Sequence, residues 1–129
     1  MHALKRAIIT SAVGRIEELP ADTVKQRYRF APDFMGFSGH FPGYPILPAF
    51  IQILTAMTVI EQHRDCRLQV SSVQKAKFHI PLHPHQEIEV ECQQRQVGNL
   101  PGCAARLRVS DGLASSFLIA FSKKEGDRC

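Results

Sequence analysis

The feature that most constrains the fold is a strongly apolar segment over residues 48–63. Its large side chains recur at the spacing of an α-helix: Phe50, Ile53, Leu54, Met57 and Ile60. Small or β-branched residues fill most of the other positions, so the predicted helix of about four turns is buried on most sides. Pro48 suits the first turn of that helix, where a missing N–H has no cost.

The remainder of the chain has the patterns of β-strands. Alternating polar and apolar side chains predict strands at 23–30, 68–80, 87–92 and 104–109, and a continuous apolar run predicts a central strand at 113–122. Turns are predicted at Pro84, at Gly98–Asn99 with Pro101–Gly102, and at Asp111–Gly112, which is a hairpin pattern. Residues 31–48 are rich in Pro and Gly and predict a long structured loop. Residues 1–19 show no clear period.

Together these patterns predict an α+β fold, in which one hydrophobic helix is enclosed by an antiparallel sheet. The 129 residues suit a single domain over 1–129. No apolar run reaches the roughly eighteen residues of a membrane span, and the N-terminus lacks the pattern of a signal peptide. A cytoplasmic location is therefore expected, with the four cysteines as free thiols.

The net charge of +4 is spread along the chain, mostly at alternate positions of the predicted strands. This spacing is typical of a solvated strand face, and no nucleic-acid motif accompanies it. Three histidines, His79, His83 and His85, lie close together, but prolines flank His83 and no acidic or thiol ligand is near. We therefore expect loop histidines and no metal site.

The segment GHFPGYPILPAF, residues 39–50, resembles the motif of the β-hydroxyacyl-(acyl carrier protein) dehydratases of the FabZ and FabA type. Seven positions match in register: Gly39, His40, Phe41, Pro42, Gly43, Pro45 and Pro48. The resemblance covers about residues 25–122. It implies the hot-dog fold, in which a bent antiparallel sheet wraps a long central helix. It also implies a dimer as the working unit, and no cofactor.

The resemblance assigns roles to residues of this loop. His40 is the expected catalytic residue, because imidazole transfers protons near neutral pH. Phe41, Pro42 and Gly43 belong to the loop that holds the substrate. The backbone N–H of Ala49, at the positive end of the helix, is the expected donor to the thioester oxygen. The family usually has Gly at this position, and Ala keeps the N–H but adds a methyl group.

One family residue is missing. The family has Glu or Asp on the helix fourteen positions after the His, and this chain has Leu54 there. Glu61 is about 10.5 Å further along the helix, and Gln52 lies on roughly the opposite face. Thr55 and Thr58 are polar but cannot act as carboxylic acids. A positioned general acid or base contributes about 10²–10⁴-fold, so its loss predicts a very slow dehydratase in a homodimer.

Three functions remain open at this stage. The first is a dehydratase-like enzyme acting on acyl carrier protein or coenzyme A thioesters, as in fatty-acid or polyketide-type lipid synthesis. The second is a non-catalytic, acyl-binding subunit, paired in a heterodimer with an acid-bearing relative instead of forming a homodimer. The third is an acyl thioesterase or enoyl isomerase. An acidic carrier would dock on basic residues, for which Lys75 and Lys77 are the main candidates, with Arg27 and Arg29 as further ones.

Overall fold

The apolar segment forms the central helix of the fold. The computed structural model describes residues 2–37, 43, 45–124 and 126. Its helices are α1 (His2–Thr10) and α2 (Ala49–Arg64), with a 3-10 turn at Met35–Phe37. Its strands are β1 (Ala12–Leu19), β2 (Thr23–Arg29), β3 (Leu68–Phe78), β4 (Glu87–Val97), β5 (Leu100–Val109) and β6 (Gly112–Lys123). The predicted helix is confirmed to within one residue at each end. No helix in the described ranges is long and apolar enough to cross a membrane.

The six strands form one sheet in the order β1-β2-β4-β5-β6-β3, and every neighbouring pair is antiparallel. Helix α2 packs on one face of this sheet, closest to β4 and β2, and it also reaches β6 through side chains near its two ends. In its first turn, Gln52 bonds to Ser115, and in its last turn, Arg64 lies 5.2 Å from the ring centre of Phe121.

The N-terminal residues, which show no clear sequence period, form α1 and β1. Helix α1 packs on α2: Ile8 is fully buried, and the Lys5 Nζ lies 2.9 Å from a carboxylate oxygen of Glu61. A helix of nine residues is marginal on its own in water. Its formation therefore depends on the contacts with α2, which the local sequence does not reveal.

The turns are partly as predicted. The β5–β6 hairpin is confirmed, with Val109 opposite Gly112. Gly98–Asn99 connects β4 and β5, but Pro101 and Gly102 lie inside β5 instead of in the turn. At Gly102 a Cβ atom would lie 2.2 Å from the carbonyl oxygen of Ile119. This glycine is therefore required by the close approach of β6.

The core between α2 and the sheet supplies a first prediction. Phe117 is buried on the helix-facing side of β6. We expect Phe117→Ala to lower the free energy of unfolding by about 3–5 kcal/mol, because it leaves a cavity and removes buried apolar surface. Urea denaturation measures this loss. Leu113→Ala on the same strand, at a partly exposed position, is the control and should cost about 1 kcal/mol or less. Equal losses in the two variants would contradict the prediction.

Candidate active site

The candidate site centres on the start of α2. Ala49 is the first residue of the helix and is exposed. Pro48 provides no side-chain cap, and its carbonyl oxygen accepts the N–H groups of Ile51 and Gln52 at 3.1 Å each. Within the described residues no acceptor is bonded to the Ala49 N–H. A helix start with a free N–H and an exposed position can bind a developing negative charge.

The other residues of the motif are only partly within the described chain. His40, Phe41 and Pro42 lie outside the described residues, so their expected roles stay predictions. Gly43 is described and has a φ of +87°, in the left-handed region that favours glycine. A residue with a Cβ would be strained there.

An aromatic cluster anchors the chain before the motif. The Tyr28 and Phe30 rings stack with centroids 5.9 Å apart, and the Phe30 and Phe34 centroids are 4.4 Å apart. Phe37 meets Phe34 edge-on at 5.7 Å. A Cβ on Gly36 would lie 2.2 Å from the Phe34 ring, so the packing of that ring requires glycine. The segment that ends at residue 37 is thereby fixed to the core.

The chain after the motif is tied to the loop between β3 and β4. Leu47 donates its N–H to the Leu82 carbonyl at 2.8 Å. His83 Nδ1 lies 3.0 Å from the carbonyl oxygen of Pro45, which can only accept, so Nδ1 carries the hydrogen. His83 is thus a loop histidine, as expected, but one with a specific partner. This contact could not be predicted from local patterns, because 38 residues separate the pair.

Helix α2 carries no free carboxylate to replace the missing acid. Leu54 is partly buried and packs against the core. Glu61 is bound elsewhere: its carboxylate is 2.9 Å from Lys5 Nζ and accepts the Leu68 N–H at 2.8 Å, and its side chain is only 10% exposed. The sequence predicts that Glu61 lies too far from position 54 to replace the acid. Its two partners are a second reason, because they already occupy the carboxylate.

Three other polar side chains of α2 are also bonded. Thr55 and Thr58 donate their hydroxyls to the carbonyl oxygens of Ile51 and Leu54, at 2.7 and 2.8 Å. Gln52 faces the sheet and is buried, with its own partners. The acid of a dehydratase site must therefore come from outside this helix.

The basic residues on the outer face of the sheet fall into two groups, those paired with a carboxylate and those without such a partner among the described residues. The paired cations bind the three acidic residues of β4, with nitrogen–oxygen distances of 3.0–3.8 Å. The pairs are Lys25 with Glu89, Arg27 and Arg29 with Glu87, and Arg106 and Arg108 with Glu91. This ladder agrees with the solvated face that the charge spacing predicts. Arg27 and Arg29 are thus less suited to docking a carrier than the sequence suggests, because Glu87 already neutralises part of their charge.

Lys75 and Lys77 differ from these cations, since no carboxylate of the described residues pairs with them. They line a trough of about 660 Å³ on the outer face, together with Arg95, Arg106 and the apolar Leu113. We call this surface the basic trough. Lys75 lies at a β-bulge of β3 with a φ of +52°. A left-handed non-glycine residue costs about 1–2 kcal/mol, so the trough is built with local strain.

A separate cavity of about 310 Å³ lies at the other end of α2, beside Ile60, His63 and Arg64. Cys92 and Cys103 form part of its lining and are free thiols, as expected. The hydrogen bond with Cys103, followed by burial, raises the pKa of the Cys92 thiol well above its usual value. A thiol with a raised pKa stays protonated near neutral pH, so Cys92 is a poor nucleophile. Cys66 is disulfide-bonded, and the expectation of a free thiol is wrong for that residue.

This architecture, a long helix lying along one face of an antiparallel sheet with an open helix start, defines the hot-dog class of proteins. Solved structures confirm the predicted fold. A chain of the dehydratase heterocomplex ApeI:P from Xenorhabdus doucetiae is 22% identical, with a TM-score of 0.74 over 87% of this chain and 96% of that one. The PaaI protein of E. coli is 11% identical, with a TM-score of 0.65 over 95% and 88% of the two chains.

An acyl-CoA hydrolase from Staphylococcus aureus, solved with butyryl coenzyme A, is similar at 11% identity and a TM-score of 0.59, over 85% of this chain and 70% of that one. The ApeI-like family, whose description is ApeI dehydratase, matches residues 16–111. The chain belongs to this family of hot-dog dehydratases. No curated protein matches the sequence.

Proposed function

We propose that this protein is a subunit of a dehydratase of the FabZ/FabA type that acts on β-hydroxyacyl or enoyl thioesters. In this proposal His40 and the Ala49 N–H belong to this chain, and an acid-bearing relative supplies the carboxylate that Leu54 replaces. The observation that carries the proposal is the state of α2. Its start is open at Ala49, while its single carboxylate, Glu61, is bound by Lys5 and Leu68.

The proposed reaction divides between the two subunits. In dehydration, His40 accepts the proton from Cα, and the electron pair of that bond forms the Cα=Cβ double bond as the Cβ–O bond breaks. The partner's carboxylic acid protonates the departing hydroxyl, which leaves as water. The Ala49 N–H stabilises negative charge that develops on the thioester oxygen. Transfer of the proton from His40 to the partner's carboxylate restores the starting state.

The edge strand β3 offers a surface for that partner. It is the last strand of the sheet, and among the described residues it pairs with β6 alone. Val70, Val73 and Phe78 lie opposite Phe121, Ile119 and Ser115, so they share the helix-facing side of the sheet, yet all three are exposed. A long open edge with exposed apolar side chains favours pairing with another chain. The similar ApeI:P chain belongs to a dehydratase heterocomplex. This supports a related protein as the partner, in preference to a second copy of this chain.

Thioester hydrolysis has less support than dehydration. The fold alone connects this chain to the acyl-CoA hydrolase, and the residues of α2 provide no second acid. The test of the proposed function is hydration of an enoyl thioester by this chain, by an acid-bearing member of the family, and by the two together. Turnover that requires both chains is the expected result.

We further propose that the acidic surface of the acyl carrier protein docks in the basic trough. Lys77 lies opposite Ser116, and the neighbouring Ser115 bonds to Gln52 in the first turn of α2. The trough and the start of α2 therefore lie at the same end of the sheet, on its two faces. Coenzyme A thioesters would not need this surface. A requirement for it therefore distinguishes acyl carrier protein from coenzyme A as the carrier.

We expect the double variant Lys75→Glu/Lys77→Glu to weaken carrier binding about 10-fold or more at low salt, with a smaller effect at high salt, because two attractive charges become repulsive. Isothermal titration with the acyl carrier protein measures this change. Lys123→Glu/Lys124→Glu is the matched control, since it changes the charge equally outside the trough. Equal weakening by the two pairs would show a general charge effect and contradict docking in the trough.

A further inference from the structure

A buried polar pair connects the sheet to the chain just before α2. Gln52 donates from Nε2 to the Leu47 carbonyl at 3.1 Å, and its Oε1 accepts the Ser115 hydroxyl at 2.7 Å. Gln52 is 4% exposed and Ser115 is fully buried. The pair therefore joins three elements: the strand β6, the first turn of α2 and the segment that leads into it.

The same segment is held from a second side. The Leu47 N–H donates to the Leu82 carbonyl, and His83 donates to the Pro45 carbonyl. Leu47 thus has both of its backbone polar groups bonded across the fold, two residues before Ala49. The direction of the Ala49 N–H depends on how firmly Leu47 is fixed, because only Pro48 separates them.

The chemistry of the pair indicates a role in geometry more than in stability. A buried hydrogen bond contributes little net stability, since both groups lose their bonds to water. Replacing both partners with apolar groups of similar shape is often nearly neutral. A buried, fully bonded polar pair instead selects one arrangement, because any other leaves a polar group unsatisfied at a cost.

We propose that Gln52 is a positioning residue of the site: together with Ser115, it fixes the start of α2 so that the Ala49 N–H keeps one direction toward the thioester oxygen. This inference rests on the proposed function, in which that N–H stabilises the oxyanion. A donor acts on developing charge only at a distance of about 2.7–3.1 Å, and a misplacement of about 1 Å can cost about 10²-fold. Gln52 touches neither substrate nor reacting atoms in this role.

The main test is the double variant Gln52→Leu/Ser115→Ala, which removes both polar partners. We expect a modest fall in melting temperature, because the buried Leu47 carbonyl loses its donor. Amide hydrogen exchange at Leu47 and Ile51 should be at least about 10-fold faster, with a changed amide chemical shift at Ala49. In the complete heterodimer, kcat for enoyl-thioester hydration should fall about 10–100-fold with little change in KM. Thr58→Val is the matched control, because it removes a buried hydroxyl of the same helix that donates to the Leu54 carbonyl within α2.

A second variant, Gln52→Glu, adds a pH readout. The protonated carboxyl can accept from Ser115 and donate to the Leu47 carbonyl, as Gln does, whereas the ionised form has no donor. Burial raises the pKa of such a carboxyl, because the charged form loses its hydration. Turnover relative to wild type should therefore be restored at low pH, below the raised pKa, and lost as the pH rises through it.

Each outcome decides the inference. Unchanged exchange at Leu47 and Ile51, or faster exchange across the whole sheet, would overturn it, the latter by showing that the pair supports overall stability. Faster local exchange with unchanged kcat would also overturn it, because the Ala49 direction would not matter. Faster local exchange together with no turnover in the wild-type heterodimer would refute the proposed function, while the anchoring of the helix start by Gln52 would stand.

Discussion

Combined with an acid-bearing relative, this protein should hydrate an enoyl thioester about 10²–10⁴-fold faster than it does alone. The physical reason is the missing general acid: a positioned proton donor contributes that factor, and α2 offers none. Glu61 is too far along the helix and holds Lys5 and the Leu68 N–H. The measurement follows loss of the enoyl absorbance for each chain separately and for the two after co-expression.

Two variants show which chain supplies which group. His40→Ala in this chain should remove the gain, and so should replacement of the partner's carboxylate by its amide. Size-exclusion chromatography checks that both variant pairs still associate. If His40→Ala leaves the rate of the mixture unchanged, the relative is acting alone and the proposed division of the site is wrong.

Restoring the carboxylate in this chain is the second large effect. Leu54→Glu should raise enoyl hydration by the isolated chain at least about 10²-fold, because position 54 corresponds to the acid in the FabZ and FabA dehydratases that the motif resembles. Leu54 is only partly buried, so a carboxyl can be accommodated, and partial burial raises its pKa toward the range of a proton donor. The assay is the same hydration reaction.

Leu54→Gln is the control for this variant, since it has nearly the same shape and polarity but cannot donate a proton as an acid. A gain in Leu54→Glu that Leu54→Gln lacks shows that the rest of the site is intact. The same low rate in both variants, with folded protein in each case, would mean that His40 and the start of α2 do not form a dehydratase site. Wild-type turnover in the isolated chain would instead show that another group replaces the acid.

Much of the fold could be predicted because its signals are local. The helical spacing of apolar residues gave α2 to within one residue, and the Asp–Gly pair gave the β5–β6 hairpin. The predictions failed where long-range contacts decide the structure. Helix α1 forms against α2 through Ile8 and Lys5, and Gly102 lies in a strand because β6 approaches its backbone closely.

The candidate site divides in the same way. The motif around His40 and the loss of the acid at Leu54 could be read from residue types at fixed spacing. The contacts of Gln52, Ser115 and His83 could not be predicted, since each joins residues that lie apart in the chain. From its place in the sequence, Gln52 was predicted only to be unable to replace the acid. Its hydrogen-bond partners in the structure suggest the positioning role.

The sequence by itself determined the class of fold, the loop that resembles a dehydratase motif and the absence of an acid at position 54, because periodicity and side-chain chemistry are local properties. The tertiary structure decided which groups remain free. In the folded chain Glu61 is bound to Lys5, and Arg27 and Arg29 are paired with Glu87. Lys75 and Lys77 have no partner among the described residues. Charges are neutralised and hydrogen-bonding groups are satisfied by residues that are close in space. Those residues come together only once the chain has folded.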